Sequence, residues 1–185
     1  MHELDSKLPW FAARVKSRCE KVVNAALQGK GYETLLPVCR VRRHWGGRQF
    51  GVELPLFPGY TFAAFHPEQR LPILTTPGLI HLVGLGKTPI PLDDVEVRNI
   101  HRVVESGLNA EPWPFLEIGQ RVVVRDGPLS GIEGILLEFK NRRQLVISIT
   151  LLRRSVAVAV RGEWIQPASG SGDTKQSPVR RSSSR

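Results

Sequence analysis

The chain has 185 residues, of which 41% are hydrophobic, so it can bury the core of one domain or of two small ones. Its formal net charge of +9 favours polyanionic surroundings such as nucleic acid, although general basicity and a charged tail are the alternative explanation. No apolar run approaches the roughly 20 residues that span a bilayer, and the first residues do not have the pattern of a secretory signal. The chain has only two cysteines, which argues against a disulfide framework. We therefore expect a cytoplasmic protein without a membrane contact.

The first hundred residues alternate between strand and helix patterns. The composition and spacing predict a strand at 9–16, a helix at 18–29, a strand at 33–41 interrupted by Pro37, and short strands within 52–65 and 79–85. Four arginines surround Trp45 in a hairpin whose tip is predicted at Gly46-Gly47.

A second helix is the best-marked element of this region. Asp93 and Glu96 have the spacing of a capping box, and Gly107 lies near the expected end. Apolar residues line one face of the helix, namely Val97, Ile100, Val103, Val104 and Leu108. Strands interleaved with two helices indicate an α/β layer domain.

The pattern changes after residue 108. Residues 109–115 place Trp113 between Pro112 and Pro114, which predicts a semi-rigid linker, and the two aromatics Trp113 and Phe115 suggest that the second domain rests against the first. Short strands follow at 121–125, 132–139, 144–152 and 156–160, and Trp164-Ile165 ends the pattern. Four to five strands within about fifty residues can bury a core only if their sheet closes into a small barrel. From Ser169 onward the composition predicts disorder.

The residues that could support catalysis are scattered. The five histidines have no common spacing, and neither cysteine has a partner at metal-ligand distance along the chain. Gly84-Leu85-Gly86 followed by Lys87 lacks the spacing of a phosphate loop. Asp93 and Asp94 are better explained as helix-capping residues than as a catalytic pair. We therefore expect no enzyme activity, no catalytic residue, no metal and no cofactor.

Aromatic residues are concentrated around the segment Leu56-Phe57-Pro58-Gly59-Tyr60. Such residues usually pack into the core of their own domain, but neighbours along a strand point to opposite faces, so they cannot all face inward. We therefore expect some of them to form an exposed apolar patch of the kind that marks a protein interface; the candidates are Trp10, Phe11, Phe57, Tyr60, Phe62 and Phe65.

Two sets of motifs carry a resemblance to a known family. Residues 116–139, with a β-branched run, the break Asp126-Gly127-Pro128 and the glycines Gly131 and Gly134, resemble the KOW motif of transcription and ribosomal proteins. The first hundred residues resemble the N-terminal domain of NusG in an ordered series of motifs: Trp10-Phe11, Glu20-Lys21, Pro37, Leu56-Phe57-Pro58-Gly59-Tyr60, Pro77-Gly78-Leu79, Val83-Gly84 and Pro89-Ile90-Pro91.

The resemblance covers residues 8–168 and implies an α+β fold class. The expected domains are an N-terminal NGN-type α/β sandwich at 8–108, with an antiparallel sheet and flanking helices, and a C-terminal SH3-like β-barrel, the KOW domain, at 116–168. A linker at 109–115 joins them, and a disordered basic tail occupies 169–185.

The family resemblance further implies a transcription elongation factor that acts as a monomer. Its N-terminal domain would dock on the β′ clamp helices of RNA polymerase, beside the upstream DNA, and favour the elongating state. Matched motif by motif, the expected polymerase-binding residues are Phe57 and Tyr60 first, then Trp10, Phe11 and Pro58.

The late KOW strands depart from the housekeeping pattern. Housekeeping members carry Ile-Phe-Gly-Arg where this chain has Leu151-Leu152-Arg153-Arg154, which puts the family contacts with termination factor Rho or a ribosomal protein in doubt. Segments 105–108, 112–115 and 127–134 are similar to UpxY-type paralogues, which are antiterminators of particular operons. The expected residues for a KOW partner are Leu129, Ile132, Leu152, Arg153 and Arg154.

The basic hairpin gives the candidates for nucleic-acid binding. Arginines there could contact phosphates of upstream or non-template DNA or of nascent RNA, and Trp45 could stack on a base; an ordinary solvated hairpin is the alternative. The residues concerned are Arg40, Arg42, Arg43, Trp45 and Arg48. The rival function is a ribosome-associated RNA-binding protein of the KOW type, which the second half of the chain fits but which does not explain the first.

Overall fold

The computed structural model describes residues 8–45, 48–115, 119–139 and 142–168. In chain order its first part contains β1 (Trp10–Val15), α1 (Glu20–Gly29), β2 (Glu33–Leu35), β3 (Val38–Trp45), β4 (Arg48–Pro55), β5 (Tyr60–Ala64), α2 (Leu71–Leu74), β6 (Leu79–Leu82), β7 (Gly84–Leu85), β8 (Thr88–Pro89) and α3 (Asp94–Glu105). Strands β2, β5, β1 and β6 form a four-stranded antiparallel sheet in that order.

Local sequence signals set most of these boundaries. The strand expected at 33–41 is two strands, because Pro37 separates β2 from β3 and the two join different sheets. β3 and β4 pair with each other as a two-stranded ribbon, and the predicted tip Gly46-Gly47 lies outside the described residues. The short helix α2 was not predicted, since its four residues are too few to show a helical period.

The four-stranded sheet is covered on both faces. Along β1, the side chains of Phe11, Ala13 and Val15 belong to a cluster that includes Val23 and Leu27 of α1. The alternate side chains of β1 and β5 belong to a second cluster, on the side of α3; these are Trp10, Ala12, Phe62 and Ala64. Alternation therefore buries both sets instead of leaving one exposed.

The second part of the molecule is all-β. Its elements are β9 (Ala110–Pro114), β10 (Gln120–Val124), β11 (Glu133–Phe139), β12 (Arg142–Ile149), β13 (Arg154–Ala159) and β14 (Ile165–Pro167). They form one six-stranded antiparallel sheet in the order β14-β10-β11-β12-β13-β9. Residues 109–115, expected to be a linker, therefore contribute the edge strand β9. The closed SH3-like barrel stays a prediction, and the tail at 169–185 lies outside the described residues.

The two parts share a continuous apolar core. The cluster that contains Trp10 and the buried face of α3 also contains inward-facing residues of the C-terminal sheet, among them Val122, Leu145 and Val156. The expectation that the second domain rests against the first agrees with this arrangement. None of the helices in the described ranges is long and apolar enough to cross a membrane.

Candidate interaction surface

A tight turn at Pro58-Gly59 positions the two aromatics that flank it. Gly59 has φ +81°, in the left-handed region, and its N–H donates to the buried Glu20 carboxylate at 2.8 Å. The Arg14 guanidinium lies 4.8 Å from the centre of the Tyr60 ring, and its Nη1 donates to the Gly59 carbonyl at 3.5 Å. The motif is therefore fixed by three elements: β1, the start of α1 and the start of β5.

The aromatics expected at an exposed patch are mostly buried. Trp10 is 3% exposed, Phe57 is 1% exposed and packs edge-on against Phe62 at 5.5 Å between ring centres, and only Tyr60 is half-buried. The expectation of an exposed patch is wrong for this arrangement, because helices and the C-terminal sheet cover the two faces that alternation creates. Pro58, at the tip of the turn, is exposed.

The five residues expected to bind polymerase do not form one group. Trp10, Phe57 and Tyr60 belong to, or pack against, the cluster on the α3 side of the sheet. Phe11 lies in the other cluster and stacks on Phe65 with 4.5 Å between ring centres, behind α1. A single surface can therefore include the first three and Pro58 but not Phe11.

Helix α3 joins the sheet to the C-terminal domain. Its buried face, formed by Val97, Ile100 and Val103, lies in the shared cluster. The Asp93 side chain caps the helix as predicted, accepting from the Val95 and Glu96 amides at 2.7 and 3.2 Å.

The second hydrogen bond of the predicted capping box, from the Asp93 backbone N–H to the Glu96 side chain, is not the one that Glu96 makes. The Glu96 carboxylate does not turn back to Asp93 but accepts hydrogen bonds from the C-terminal domain, from the Thr150 amide at 3.1 Å and from the Thr150 hydroxyl at 2.6 Å. Sequence reasoning missed this contact because Thr150 lies 54 positions away and offers no local signal.

A second polar contact holds the turn at residues 126–131, between β10 and β11, against α3. Arg102 donates from Nη2 to the Pro128 carbonyl at 3.3 Å and to the Ser130 carbonyl. These acceptors bracket Leu129, whose side chain is fully buried. The central residue of the predicted KOW site thus lies inside the shared core.

The residues expected to bind a KOW partner fall into two groups. Leu129, Ile132 and Leu152 are buried in the shared cluster, whereas Arg153 and Arg154 are exposed. Arg153 has φ +47°, which is unusual outside glycine, and its guanidinium lies 4.6 Å from the Phe115 ring centre. In this arrangement only the two arginines are accessible to a partner.

The base of the basic hairpin carries an exposed charge cluster. Lys21 of α1 contacts the Glu53 carboxylate at 3.1 Å, and Arg40 contacts it at 3.6 Å. The hydrogen bond from Lys21, with the neighbouring positive charges, holds the pKa of Glu53 below its ordinary value. The backbone pairs Arg42 with Gly51 and Trp45 with Arg48, but the side chains expected to bind nucleic acid beyond Arg40 lie outside the described part, namely Arg42, Arg43, Trp45 and Arg48.

A cleft of about 1170 Å³ separates this hairpin base from the C-terminal sheet. Val38 and Leu54 line one wall, and Pro112 and Ala159 line the other. Burial raises the pKa of the Cys39 thiol, which also faces the cleft, so this thiol is neutral near pH 7. Among the described residues no group of three or more His, Cys, Asp and Glu side chains could hold a metal ion.

Comparisons with known proteins agree with this architecture. A family model described as transcription termination factor nusG matches residues 8–101. The transcription termination/antitermination protein NusG of Thermus thermophilus is 31% identical over 174 residues, covering 82% of this chain and 94% of that protein. The protein of the same name from Escherichia coli K12 is 27% identical over 145 residues, covering 74% of this chain and 78% of its own.

A solved structure shares the fold. It is described as showing the domain interaction in Thermotoga maritima NusG, and it aligns with a TM-score of 0.57 over 87% of this chain and 97% of its own. At 19% identity this likeness concerns the fold alone.

Proposed function

Because this chain belongs to the NusG family of transcription termination and antitermination factors, we propose that it binds RNA polymerase through its N-terminal domain and recruits a second partner through its C-terminal domain. The observation that carries the proposal is the turn Phe57-Pro58-Gly59-Tyr60, held by Glu20 and Arg14, which presents an exposed proline beside two aromatics. The factor works by scaffolding in the cytoplasm, and no step requires catalysis.

The polymerase-binding surface consists of Trp10, Phe57, Pro58 and Tyr60. The partner on polymerase that the family resemblance implies is the pair of β′ clamp helices. Trp10 and Phe57 are buried in the cluster that α3 and the C-terminal sheet complete, with Trp10 against His101 of α3 and Phe57 against Phe62, so full engagement requires that this packing opens and that the two domains separate. Pro58 and Tyr60 can make the first contact before that separation.

The remaining surfaces have separate roles. The ribbon β3–β4, with Arg40 at its base, lies against upstream or non-template DNA or nascent RNA, where its arginines neutralise phosphates. Leu129, Ile132 and Leu152 become accessible only when the shared core opens. Together with Arg153 and Arg154 they then form the surface for Rho, a ribosomal protein or a dedicated partner of the KOW barrel. The sequence Leu151–Arg154 and the UpxY-like segments favour a specialised paralogue that acts on particular operons.

Binding to purified core polymerase tests the proposal. Tyr60→Ala should weaken binding about tenfold, which corresponds to roughly 1.4 kcal/mol and is the size of effect expected when an aromatic anchor of an interface is truncated. Tyr32→Ala is the matched control: Tyr32 is also half-buried but packs against Phe65 in the other cluster, and its loss should leave binding unchanged. Equal effects of the two substitutions, or no binding by the wild type, would refute the proposal. Sedimentation with ribosomes alone would favour the RNA-binding alternative.

A further inference from the structure

The edge strand β9 is attached to the C-terminal sheet by side chains as well as by backbone pairing. Its five residues pair with β13, from Ala110 opposite Val158 to Pro114 opposite Arg154. Trp113 packs on an outer apolar cluster formed by Ile135, Val146 and Ala157. The Glu111 carboxylate accepts a hydrogen bond from the side-chain nitrogen Nε2 of Gln144 at 2.8 Å.

The register shows which backbone groups β13 offers to β9. The Ala159 amide donates to the Asn109 carbonyl at 3.0 Å, and the Val160 amide donates to the Arg143 carbonyl of the opposite neighbour at 3.1 Å. In antiparallel pairing these directions alternate, so the amides of Ser155, Ala157 and Ala159 face β9 and those of the intervening valines face β12.

The two prolines of β9 occupy positions where no amide is needed for this pairing. Pro112 and Pro114 are opposite Val156 and Arg154, at the non-hydrogen-bonded pairs, so their ring nitrogens point away from β13. They leave the bonds to β13 intact and prevent the outer edge of β9 from pairing with a further strand. At this edge of the sheet a new strand can therefore pair only with β13, in place of β9; the other edge strand is the three-residue β14.

The connection between the domains limits how far its two ends can move apart while β9 stays in place. Only residues 106–109 lie between the end of α3 and the start of β9, and these span at most about 14 Å. Release of β9 adds residues 110–115 to the connection, so that residues 106–115 together span up to about 36 Å. A distance of more than about 14 Å between the end of α3 and the start of β9 therefore requires loss of β9 from the sheet.

Loss of β9 leaves groups that cannot stay buried without a partner. Ser155 and Ala157, which are 1% and 0% exposed, would lose the strand that covers them, and three amides would lose their acceptors. The cleft between the hairpin base and β9 gives an extended chain room to approach, since Asn109, Pro112 and Ala159 line it.

We propose that the β13 edge is a strand-addition site, which β9 fills within the chain and which an extended segment of a partner protein fills when β9 leaves. The contacts of β9 define the chemistry of that segment: an acidic residue that reaches Gln144 and, two positions later, an aromatic residue that covers Ile135, Val146 and Ala157. The proposal deepens the partner recruitment proposed above and does not depend on polymerase binding.

Amide hydrogen exchange on the full chain tests the site. In Trp113→Ala the amides of Ser155, Ala157 and Ala159 should exchange about tenfold faster than in the wild type, as expected for the loss of roughly 1.4 kcal/mol of packing. The amides of Val156 and Val158 in the same strand are the internal control and should keep their rates. If this variant fails to fold, Glu111→Ala, which removes only the contact with Gln144, should give a smaller acceleration at the same three amides.

A peptide with the sequence of residues 109–115 then serves as the probe for the partner segment. Added to Trp113→Ala, it should restore slow exchange at the same three amides, while a peptide with alanine in place of the tryptophan should not. The wild type should bind the peptide poorly, because its own strand competes at millimolar effective concentration. The proposal is overturned if the three amides exchange only together with the valines, or if the peptide protects none of them. A dimer that protects them without peptide would overturn the choice of a partner segment as the occupant.

Discussion

The contact between Glu96 and Thr150 should control how often the two domains separate. Glu96 accepts from the Thr150 amide and hydroxyl, and both groups lie at the rim of the shared core rather than inside it. Hydrogen bonds to a charged acceptor contribute roughly 1.5–3 kcal/mol, and solvent screening at an exposed site reduces this to about 1–2 kcal/mol in total. Glu96→Ala should therefore raise the population of the separated state about 5–30-fold.

Relaxation-dispersion NMR at the amides of α3 measures that population on the timescale of domain motion. Asp94→Ala is the matched control, since Asp94 also lies in the first turn of α3 and its removal costs the same favourable interaction with the helix dipole. Thr150→Ala keeps the amide donor and should have a smaller effect than Glu96→Ala. If Asp94→Ala raises the separated population as much as Glu96→Ala does, the reasoning from the contact with Thr150 is refuted.

Two further predictions concern the N-terminal domain. Gly59→Ala should destabilise the fold by about 1–3 kcal/mol in chemical denaturation, because φ is +81° and a Cβ there would displace the Arg14 guanidinium from the Gly59 carbonyl. Gly31→Ala, with φ +86° and open space around the added Cβ, should show the cost of backbone strain alone, and the difference between the two variants measures the contact with Arg14. Lys21→Ala should raise the pKa of Glu53 towards its ordinary value in an NMR titration. Because the pKa of Glu53 is lower in the folded than in the unfolded protein, the contact with Lys21 stabilises the fold at a pH above the unfolded pKa, and this stabilisation is lost as the pH falls through the folded pKa. An unchanged pKa of Glu53 in the Lys21→Ala variant would contradict the assigned cause.

The sequence predicted features that depend on neighbours along the chain. Asp93 caps α3, Pro37 interrupts a strand pattern, and the first strand and helix end within two residues of their expected limits, because capping, proline geometry and periodicity act locally. The family resemblance, carried by the order of the motifs, is confirmed by the family model and by the relatives.

The features that the sequence could not predict depend on residues far apart in the chain. Glu96 has the spacing of a capping box, and only the position of Thr150 determines that it bonds elsewhere. Pro112 and Pro114 indicated a linker, and only the register against β13 allows both to belong to a strand. The burial of Phe57 depends on which elements cover each face of the sheet. The roles of the candidate binding residues stay predictions.

The ribbon β3–β4 has a consequence for how such a protein can diversify. Within the described residues its two strands pair with each other and with no other strand, so the strand pairing of the other sheets does not depend on it. Variants that alter the ribbon should therefore keep the strand pairing of the four-stranded sheet and of the C-terminal sheet. Exchange of the ribbon between related proteins is therefore a direct test of the nucleic-acid contact proposed for it, since both sheets keep their pairing.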